Sequence, residues 1–379
     1  MAPPLESLAA MSPERRAKLA NSLANALARS RTPVPDGGGP PPGAGFHCEL
    51  AAPGNFAGIR FLPWAGSAPG PGQIQIRVRA LSLNFRDLMI AMGSYPPTPG
   101  VPSVMGSDYA GEVAAVGEGV TEFVVGDRVM ALSAGHFDRN GNIVDGMHLA
   151  SLQNVSALQA APIPSNLSFE AAAGVPTVFL TSYHALHEVA RLQAGERVLI
   201  HSATGGVGMA AIQVARWLGA RILATAGSEE KRRRLEAMGI ESPMDSRSLA
   251  FAGQIAERTG GEGVDVVLNT LPGAALAAGL DCLGWFGRFL QIEKQAVFND
   301  APMPLAPFKK GLTFAAIDLA LFVARPRRLN QLLREIAGHL DRGDFSPVEW
   351  RTWPVAELGQ ALTAMSRGTH MGKLVLRYD

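Results

Sequence analysis

The sequence predicts an α/β protein in which a β-rich domain is combined with a doubly wound parallel sheet. Apolar and polar residues alternate between Gln73 and Asn84, which is the period-two pattern of a half-buried strand. From about Pro176 onward, short apolar runs alternate with helical stretches, as expected for parallel strands that are buried on both faces. A glycine-rich turn, His201 to Gly208, follows the first of these runs.

The composition is that of a globular protein, and the balance of charges predicts no broad basic surface that would bind polyanions. The 379 residues are 47% hydrophobic, which is enough for two domains that share an extended core. The 34 Lys and Arg residues nearly balance the 33 Asp and Glu residues, so the net charge of +1 argues against nucleic acid or an anionic membrane as the main partner. No run has the length of a membrane span, and the first residues lack the apolar stretch of a signal peptide. We therefore expect a cytoplasmic protein.

The few potential metal ligands predict that no metal site exists. Cys48 and Cys282 are the only cysteines, and they lie too far apart for a Cys-x-x-Cys motif. The histidines form no ligand-like cluster apart from His184 and His187, which are one helical turn apart and more typical of a structural role.

Residues 1–45 are predicted to form a helix and then a linker. Ser12 and Pro13 fit the start of a helix, and leucines recur at helical spacing up to about Ser30. Residues 33–45 consist mostly of Pro and Gly, which is a linker composition. The segment is either a plain extension or an element that docks onto a neighbouring domain.

Residues 46–175 and 315–379 are predicted to form the β-rich domain, with an antiparallel or barrel-like sheet. Short apolar runs in residues 111–130 are interrupted by glycines, and a final strand, Lys373 to Leu376, is expected to return and complete this domain. Residues 176–314 are predicted to form the parallel-sheet domain. Its expected strands are Val198–Ile200, Ile222–Ala226, Val264–Leu268 and Phe289–Ile292.

The glycine-rich turn predicts a nucleotide site, because a strand leads into it and a helix follows. Gly205, Gly206 and Gly208 let the backbone turn tightly and approach a pyrophosphate, whose charge is met by the amides at the helix start. Thr204 and Val207 complete the predicted loop. A merely structural tight turn is the alternative.

The residues after the next apolar run favour NADP(H) over NAD(H). An NAD-binding chain places an acidic residue about 20 positions after the loop to bind the ribose 2′-hydroxyl. Here the sequence reads Thr-Ala-Gly-Ser from Thr225, and that carboxylate is missing. Ser228 and Lys231, with Arg232 as a third candidate, can offer hydrogen bonds and positive charge to a 2′-phosphate. Alternatively, residues 229–234 form only the solvated face of a helix.

Four segments resemble those of polyketide synthase enoyl reductase domains, and more distantly those of fatty acid synthase reductases and quinone oxidoreductases. They begin at Leu83 (LNFRDLM), Gly174 (GVPTVFLTSY), His201 (HSATGGVGMA) and Gly263 (GVDVVLNTL). The resemblance covers residues 46–378 and implies a zinc-free medium-chain reductase, with a groES-like catalytic domain interrupted by a Rossmann domain. It implies NADPH in the cleft between them and hydride transfer to the β-carbon of an enoyl thioester on an acyl carrier protein. The N-terminal helix is then a candidate contact with neighbouring synthase domains.

By the same resemblance, three residues match catalytic positions: Tyr95, Lys294 and Asp318. Tyr95 matches a tyrosine linked to the stereochemistry of α-protonation, and the other two match a candidate proton-donor pair. Three further residues are expected at the cofactor: Asn84, Asp87 and Asn269. The alternatives are simple packing for Tyr95, a surface position for Lys294, and a cap or salt bridge for Asp318.

The chain departs from the family pattern at two positions within the reductase core. Glu293 stands where the family has glycine before the lysine, which leaves the geometry of Lys294 open. Residues 133–150 are longer than expected and predict an inserted loop. Three other functions stay open: a free-standing quinone or enone reductase, a variant that closes a ring instead of taking a proton, and a non-catalytic NADPH-binding module.

Overall fold

The structure, a computed structural model, describes residues 39–41, 45–50, 52–95, 105–133, 136–137, 143–144 and 149–378. The predicted helix between Ser12 and Ser30 lies outside these residues. Of the predicted linker, residues 39–41 and 45 are described. Within the predicted insertion at 133–150, the described residues include a short antiparallel pair of strands.

The strands in the described residues are β1 (Phe46–Leu50), β2 (Ile59–Pro63), β3 (Gln73–Leu83), β4 (Asp108–Val116), β5 (Arg128–Leu132), β6 (His136–Phe137), β7 (Ile143–Val144), β8 (Leu152–Ser156), β9 (Ala160–Pro162), β10 (Arg197–Ile200), β11 (Arg221–Ala226), β12 (Met244–Asp245), β13 (Val264–Asn269), β14 (Leu283–Gln291), β15 (Thr313–Ala316), β16 (Trp350–Pro354) and β17 (Lys373–Arg377). The α-helices are α1 (Phe85–Ala91), α2 (Phe169–Ala173), α3 (Pro176–Tyr183), α4 (Gly206–Trp217), α5 (Glu229–Ala237), α6 (Phe251–Arg258), α7 (Ala274–Asp281), α8 (Gln295–Phe298), α9 (Pro326–Arg342) and α10 (Leu358–Ser366). Helix α3 continues into one stretch of π-helix, His184–Val189.

The chain divides into two compact units. The first unit contains Val178–Leu319, and the second contains the described residues up to Thr177 and from Ala320 onward. The bounds predicted for the domains, at residues 46, 176 and 315, stay predictions.

The first unit is built on six parallel strands in the order β12-β11-β10-β13-β14-β15. Numbered from β10, this is the order 3-2-1-4-5-6 that is typical of dinucleotide-binding sheets. Val198, Leu199 and Ile200 of β10 are fully buried, because helices cover both faces of such a sheet and the strand must be apolar throughout. The predicted parallel sheet is therefore confirmed.

The second unit holds a mostly antiparallel sheet in the order β16-β17-β3-β4-β5-β9, with β8 also paired to β3. The alternation in β3 has the predicted consequence: Ile74, Ile76 and Val78 are buried, while Arg77 is exposed. Strand β17 pairs antiparallel with β3, and Leu374 faces Leu83, so the predicted return of the final strand is confirmed. In the described residues, no helix is both long and apolar enough to cross a membrane.

Candidate active site

The predicted site residues of the first unit lie along the carboxyl edge of the parallel sheet. The glycine-rich loop follows β10, Ser228 follows β11, Asn269 ends β13, Lys294 follows β14 and Asp318 follows β15. The carboxyl ends of parallel strands lie at one edge, so residues far apart in the sequence line the same edge here. In doubly wound sheets this is the edge where ligands bind, at the point where the strand order reverses. That point lies between β10 and β13.

Gly208 occupies a position where a side chain does not fit. A Cβ atom there would lie 2.4 Å from the Cα atom of Ala203. Ala203 is itself held in place, because its N–H donates to the carbonyl oxygen of Thr225 at 2.9 Å. Helix α4 begins at Gly206 with Gly205 as its cap, so the amides of its first turn have no acceptors within the helix. The loop therefore fits a pyrophosphate, whose oxygens would accept from these amides.

His201 supports this loop from inside the unit, although sequence reasoning gave it no role. The side chain is fully buried, and its Nδ1 atom lies 2.9 Å from the Oγ1 atom of Thr225. Its ring packs edge-on against Phe251, with centroids 4.8 Å apart. Burial lowers the pKa of His201 to about 4, so the ring is neutral at pH 7. The only signal in the sequence was a histidine between an apolar strand and the glycine turn.

A basic cluster lies after β11, where the sequence predicted a phosphate site. The Oγ atom of Ser228 caps helix α5 by accepting from the backbone N–H of Lys231 at 3.3 Å. Burial lowers the pKa of Lys231, and the nearby positive charge of Arg247 lowers it further. Arg232 is engaged elsewhere, because its Nη1 atom lies 3.6 Å from Asp245 and donates to a backbone carbonyl. Arg247, which the sequence analysis missed, is the second cation near Lys231.

Lys294 and Asp318 form an ion pair at the carboxyl edge. The Nζ atom of Lys294 donates to the Oδ1 atom of Asp318 at 2.6 Å, across a sequence separation of 24 residues. The side chains are 28% and 20% exposed, respectively, so the pair is partly shielded from solvent. The two residues that match the candidate proton-donor pair of the family are therefore in direct contact.

Glu293, the residue found in place of glycine, has a structural role of its own. Its carboxylate accepts from the backbone N–H of Gln295 at 2.5 Å and of Ala296 at 3.2 Å, at the start of helix α8. It also accepts from the side-chain amide nitrogen of Gln291, and the side-chain oxygen of Gln291 in turn accepts from the Asn269 side chain at 2.8 Å. This chain of hydrogen bonds fixes the backbone next to Lys294, and the φ angle of Glu293 is not in the left-handed region that would require glycine.

A buried polar network lies at the start of helix α1 in the second unit. Asn84 and Asp87 form a capping box, and Asp87 also accepts from the backbone N–H of Gly106 at 2.8 Å. Asn84 donates to Asp108 at 3.0 Å and accepts from the Nζ atom of Lys373 at 2.5 Å. The same Nζ atom lies 3.7 Å from Asp108. Asn84, predicted at the cofactor, is thus held rigidly by charged residues.

Sequence reasoning missed Asp108 and Lys373, although both are almost completely buried. Asp108 also accepts from the hydroxyl of Thr177 at 2.7 Å. Burial raises the pKa of Asp108 and lowers the pKa of Lys373, and each residue's charge opposes the shift of the other. The available signal was a charged residue at the start of a largely apolar strand, and a fully buried charge is rare unless it is paired.

Tyr95 lies just beyond helix α1 in the second unit. Its backbone N–H donates to the carbonyl oxygen of Met89 at 3.2 Å, and the Arg86 guanidinium lies over its ring at 5.0 Å. The residue is partly buried, and the ring is held against the helix that Asn84 begins.

Two family models match the chain. The alcohol dehydrogenase GroES-like domain matches residues 70–165, and the zinc-binding dehydrogenase family matches residues 206–337. Among curated proteins, the phthioceranic/hydroxyphthioceranic acid synthase of Mycobacterium tuberculosis is 42% identical over 334 residues. That match covers 88% of this chain and 15% of the synthase, so the chain spans only a small part of that relative.

Solved structures agree with the family models over most of the chain. The CurK enoyl reductase is 32% identical with a TM-score of 0.77, and the match covers 88% of this chain and 99% of that one. The Escherichia coli quinone oxidoreductase complexed with NADPH is 25% identical with a TM-score of 0.74, covering 88% of this chain and 100% of that one.

One matched family is described as zinc-binding, but the described residues offer no ligand set for zinc. In the described part of the chain, no group of three or more His, Cys, Asp or Glu residues could hold a metal ion. His184 pairs with Glu188 at 2.6 Å, and the His187 ring packs against Tyr183.

Proposed function

Because the chain belongs to the medium-chain dehydrogenase/reductase superfamily, among the enoyl reductase domains of polyketide synthases, we propose that it reduces an enoyl thioester presented by an acyl carrier protein, with NADPH as reductant. The single observation that carries this proposal is the Lys294–Asp318 pair at the carboxyl edge of the dinucleotide-binding sheet. The product is the saturated acyl thioester.

The proposed chemistry adds two hydrogens to one double bond. NADPH, when bound, supplies the hydride that adds to the β-carbon. The α-carbon then needs a proton, and the ammonium group of Lys294 is the proposed donor. Asp318 accepts a hydrogen bond from the Nζ atom at 2.6 Å, which positions the donor. Water afterwards returns a proton to Lys294.

Cofactor preference is proposed to depend on the basic cluster after β11. Ser228, Lys231 and Arg247 would hold the 2′-phosphate, while Gly208 and the start of α4 hold the pyrophosphate. The ion pair between Arg232 and Asp245 makes Arg232 a weaker candidate than the sequence suggested. The positive charge of Arg247 lowers the pKa of Lys231, and a bound phosphate would offset the repulsion between the two cations.

The test follows NADPH oxidation with a crotonyl thioester, with NADH, a quinone and no acceptor as controls. We expect thioester-dependent oxidation that prefers NADPH. Replacing Lys294 with Met should lower kcat by roughly a hundredfold or more, with unchanged NADPH binding. Asp318→Asn should lower it less, and Lys309→Met, at an exposed lysine of the same unit, should have no effect. Turnover with the quinone alone would instead support the small-carbonyl reductase.

The fate of the α-carbon separates the proposal from the ring-closing variant. The substrate for this test is an enoyl thioester that carries a leaving group on its γ-carbon. In D₂O, protonation places deuterium at the α-carbon and keeps the leaving group, whereas ring closure joins the α-carbon to the γ-carbon, expels the leaving group and places no deuterium there. We also propose that Tyr95 determines the face that receives this proton. Tyr95→Phe should then change the α-configuration obtained from an α-methyl enoyl thioester, and an unchanged configuration would refute this role.

A further inference from the structure

Two large apolar side chains are exposed on helix α8, which directly follows Lys294. Val297 is 51% exposed and Phe298 is 49% exposed. The helix consists of Gln295–Phe298 only, and none of its residues is buried. Isolated apolar residues at a surface are ordinary, whereas adjacent ones beside a functional group indicate a binding surface. Val297 and Phe298 are named the α8 apolar surface below.

The α8 apolar surface lies on the same helix face as Lys294. Lys294 caps the helix with helical backbone angles, φ −94° and ψ −27°. Its carbonyl oxygen accepts from the backbone N–H of Phe298 at 2.9 Å, so the helical spacing includes both residues. Residues three and four positions apart are neighbours on a helix, with Cβ atoms about 5–6 Å apart. Val297 and Phe298 therefore border the lysine whose Nζ atom donates to Asp318.

Glu293 holds this helix face in place. A single helical turn does not persist by itself in water, because forming the first turn is costly. Here the Glu293 carboxylate accepts from the backbone N–H groups of Gln295 and Ala296 in that turn. The side chain of Gln291, at the end of β14, donates to the same carboxylate at 3.1 Å. The acidic residue found in place of glycine thus joins α8 to the parallel sheet.

We propose that Val297 and Phe298 bind the acyl chain of the substrate beyond its β-carbon. The inference rests on the proposed function, because it starts from a thioester whose α-carbon lies at Lys294. A chain that continues past the double bond can then cover the α8 apolar surface, whereas a crotonyl group ends too early to do so. The preferred substrate is therefore an enoyl thioester with a longer alkyl chain, and it is distinguished from a short one by its KM.

The experiment compares the NADPH-dependent reduction of crotonyl-pantetheine with that of 2-octenoyl-pantetheine. A fully buried methylene group strengthens binding by about fourfold, so about twofold is expected against a half-exposed surface, and four added methylene groups should lower KM by roughly tenfold. The kcat values should be similar, because the chain does not take part in the transfer of hydride or proton.

Variants of the α8 apolar surface should lose this chain-length effect. Val297→Ser and Phe298→Ser should each remove part of it, and the double variant should remove most of it, with kcat and the KM for crotonyl-pantetheine unchanged. Both side chains are exposed, so the substitutions should leave the fold intact. Phe286→Ser is the matched control, because Phe286 is 75% exposed near the other end of β14, and it should keep the full effect.

A titration with saturated thioesters tests the surface without turnover. In the presence of NADP⁺, octanoyl-pantetheine should bind roughly tenfold more tightly than butyryl-pantetheine by calorimetry, and the double variant should lose the difference. Equal binding of the two chains, or a chain-length effect that the double variant keeps, would overturn the inference while leaving the proposed function intact.

A second copy of the chain is the competing occupant of this surface. Sedimentation velocity should show the same oligomeric state for the unmodified protein and the double variant. A dimer that the double variant converts to monomers would assign Val297 and Phe298 to that contact and overturn the inference. If neither enoyl thioester is reduced, the proposed function fails, and the titration separately decides whether the surface binds acyl chains.

Discussion

Replacing Lys373 with Met should destabilise the protein through an unpaired buried charge. Removing one member of a buried ion pair costs about 3–5 kcal/mol. Asp108 keeps three donors, from the Thr177 hydroxyl at 2.7 Å, the Thr177 amide at 3.3 Å and the Asn84 side chain at 3.0 Å. We therefore expect the free energy of unfolding to fall by an amount near the lower end of this range, about 3 kcal/mol at pH 8.

The loss should depend on pH in a defined direction. Burial raises the pKa of Asp108, while the charge of Lys373 lowers it, so the Lys373→Met variant has a still higher pKa at Asp108. A carboxyl group with a raised pKa holds more protons in the folded state than in the unfolded state, and its stability contribution is lost as the pH rises through the folded pKa. The free energy of unfolding that the Lys373→Met variant loses should thus be small at about pH 4.5 and reach its full value at pH 8.

The assay is urea unfolding followed by circular dichroism at both pH values. Lys309→Met is the matched control, because Lys309 is exposed. Adding Asp108→Asn to Lys373→Met removes the unpaired charge and should restore most of the lost free energy of unfolding. A deficit at pH 8 no greater than that of the control, or a double variant as unstable as the single one, would refute the reasoning.

Three other predictions concern the dinucleotide-binding unit. Gly208→Ala should weaken NADPH binding by roughly tenfold, because overpacking costs about 1–3 kcal/mol. Gly253→Ala is the control, because a Cβ atom there meets nothing within 4 Å, and it should leave NADPH binding unchanged. Fluorescence titration measures the affinity of both variants. Lys231→Gln and Arg247→Gln should each raise the KM for NADPH by roughly tenfold and leave that for NADH unchanged; equal changes for the two cofactors would contradict the phosphate role. The pKa of His201 is about 4 in the folded state, so the unfolded state binds a proton that the folded state does not as the pH falls from about 6.5 to 4. The free energy of unfolding should therefore fall by about 3 kcal/mol over this range. In thermal melts, His201→Gln should make the stability less dependent on pH.

Local pattern was sufficient to predict the strands of the parallel sheet and the return of β17. Such strands must be apolar on both faces, so a continuous apolar run such as Val198 to Ile200 predicts a buried strand from the sequence alone. The contact between Lys294 and Asp318 also follows from this architecture, because each residue comes just after a strand that ends at the same edge.

The polar network around Asn84 could not be predicted in the same way. The sequence indicates a strand at Lys373, but the pairing of its ammonium with Asn84 depends on sheet register across 289 residues. Arg247 was missed for a similar reason, since its closeness to Lys231 arises only when β12 pairs with β11. The π-helix at His184–Val189 has no periodic signature distinct from an ordinary helix.

The long sequence separation between Asn84 and Lys373 has a consequence for the order of folding. The first unit is continuous from Val178 to Leu319, whereas β3 and β17 of the second unit are separated by that whole unit. During synthesis, the continuous unit can complete its sheet before the ribosome has made Lys373. Asp108 is made early but can pair with Lys373 only when the chain is almost complete. Non-local pairing slows folding, so the discontinuous unit should be the later one to acquire protease resistance on a nascent chain.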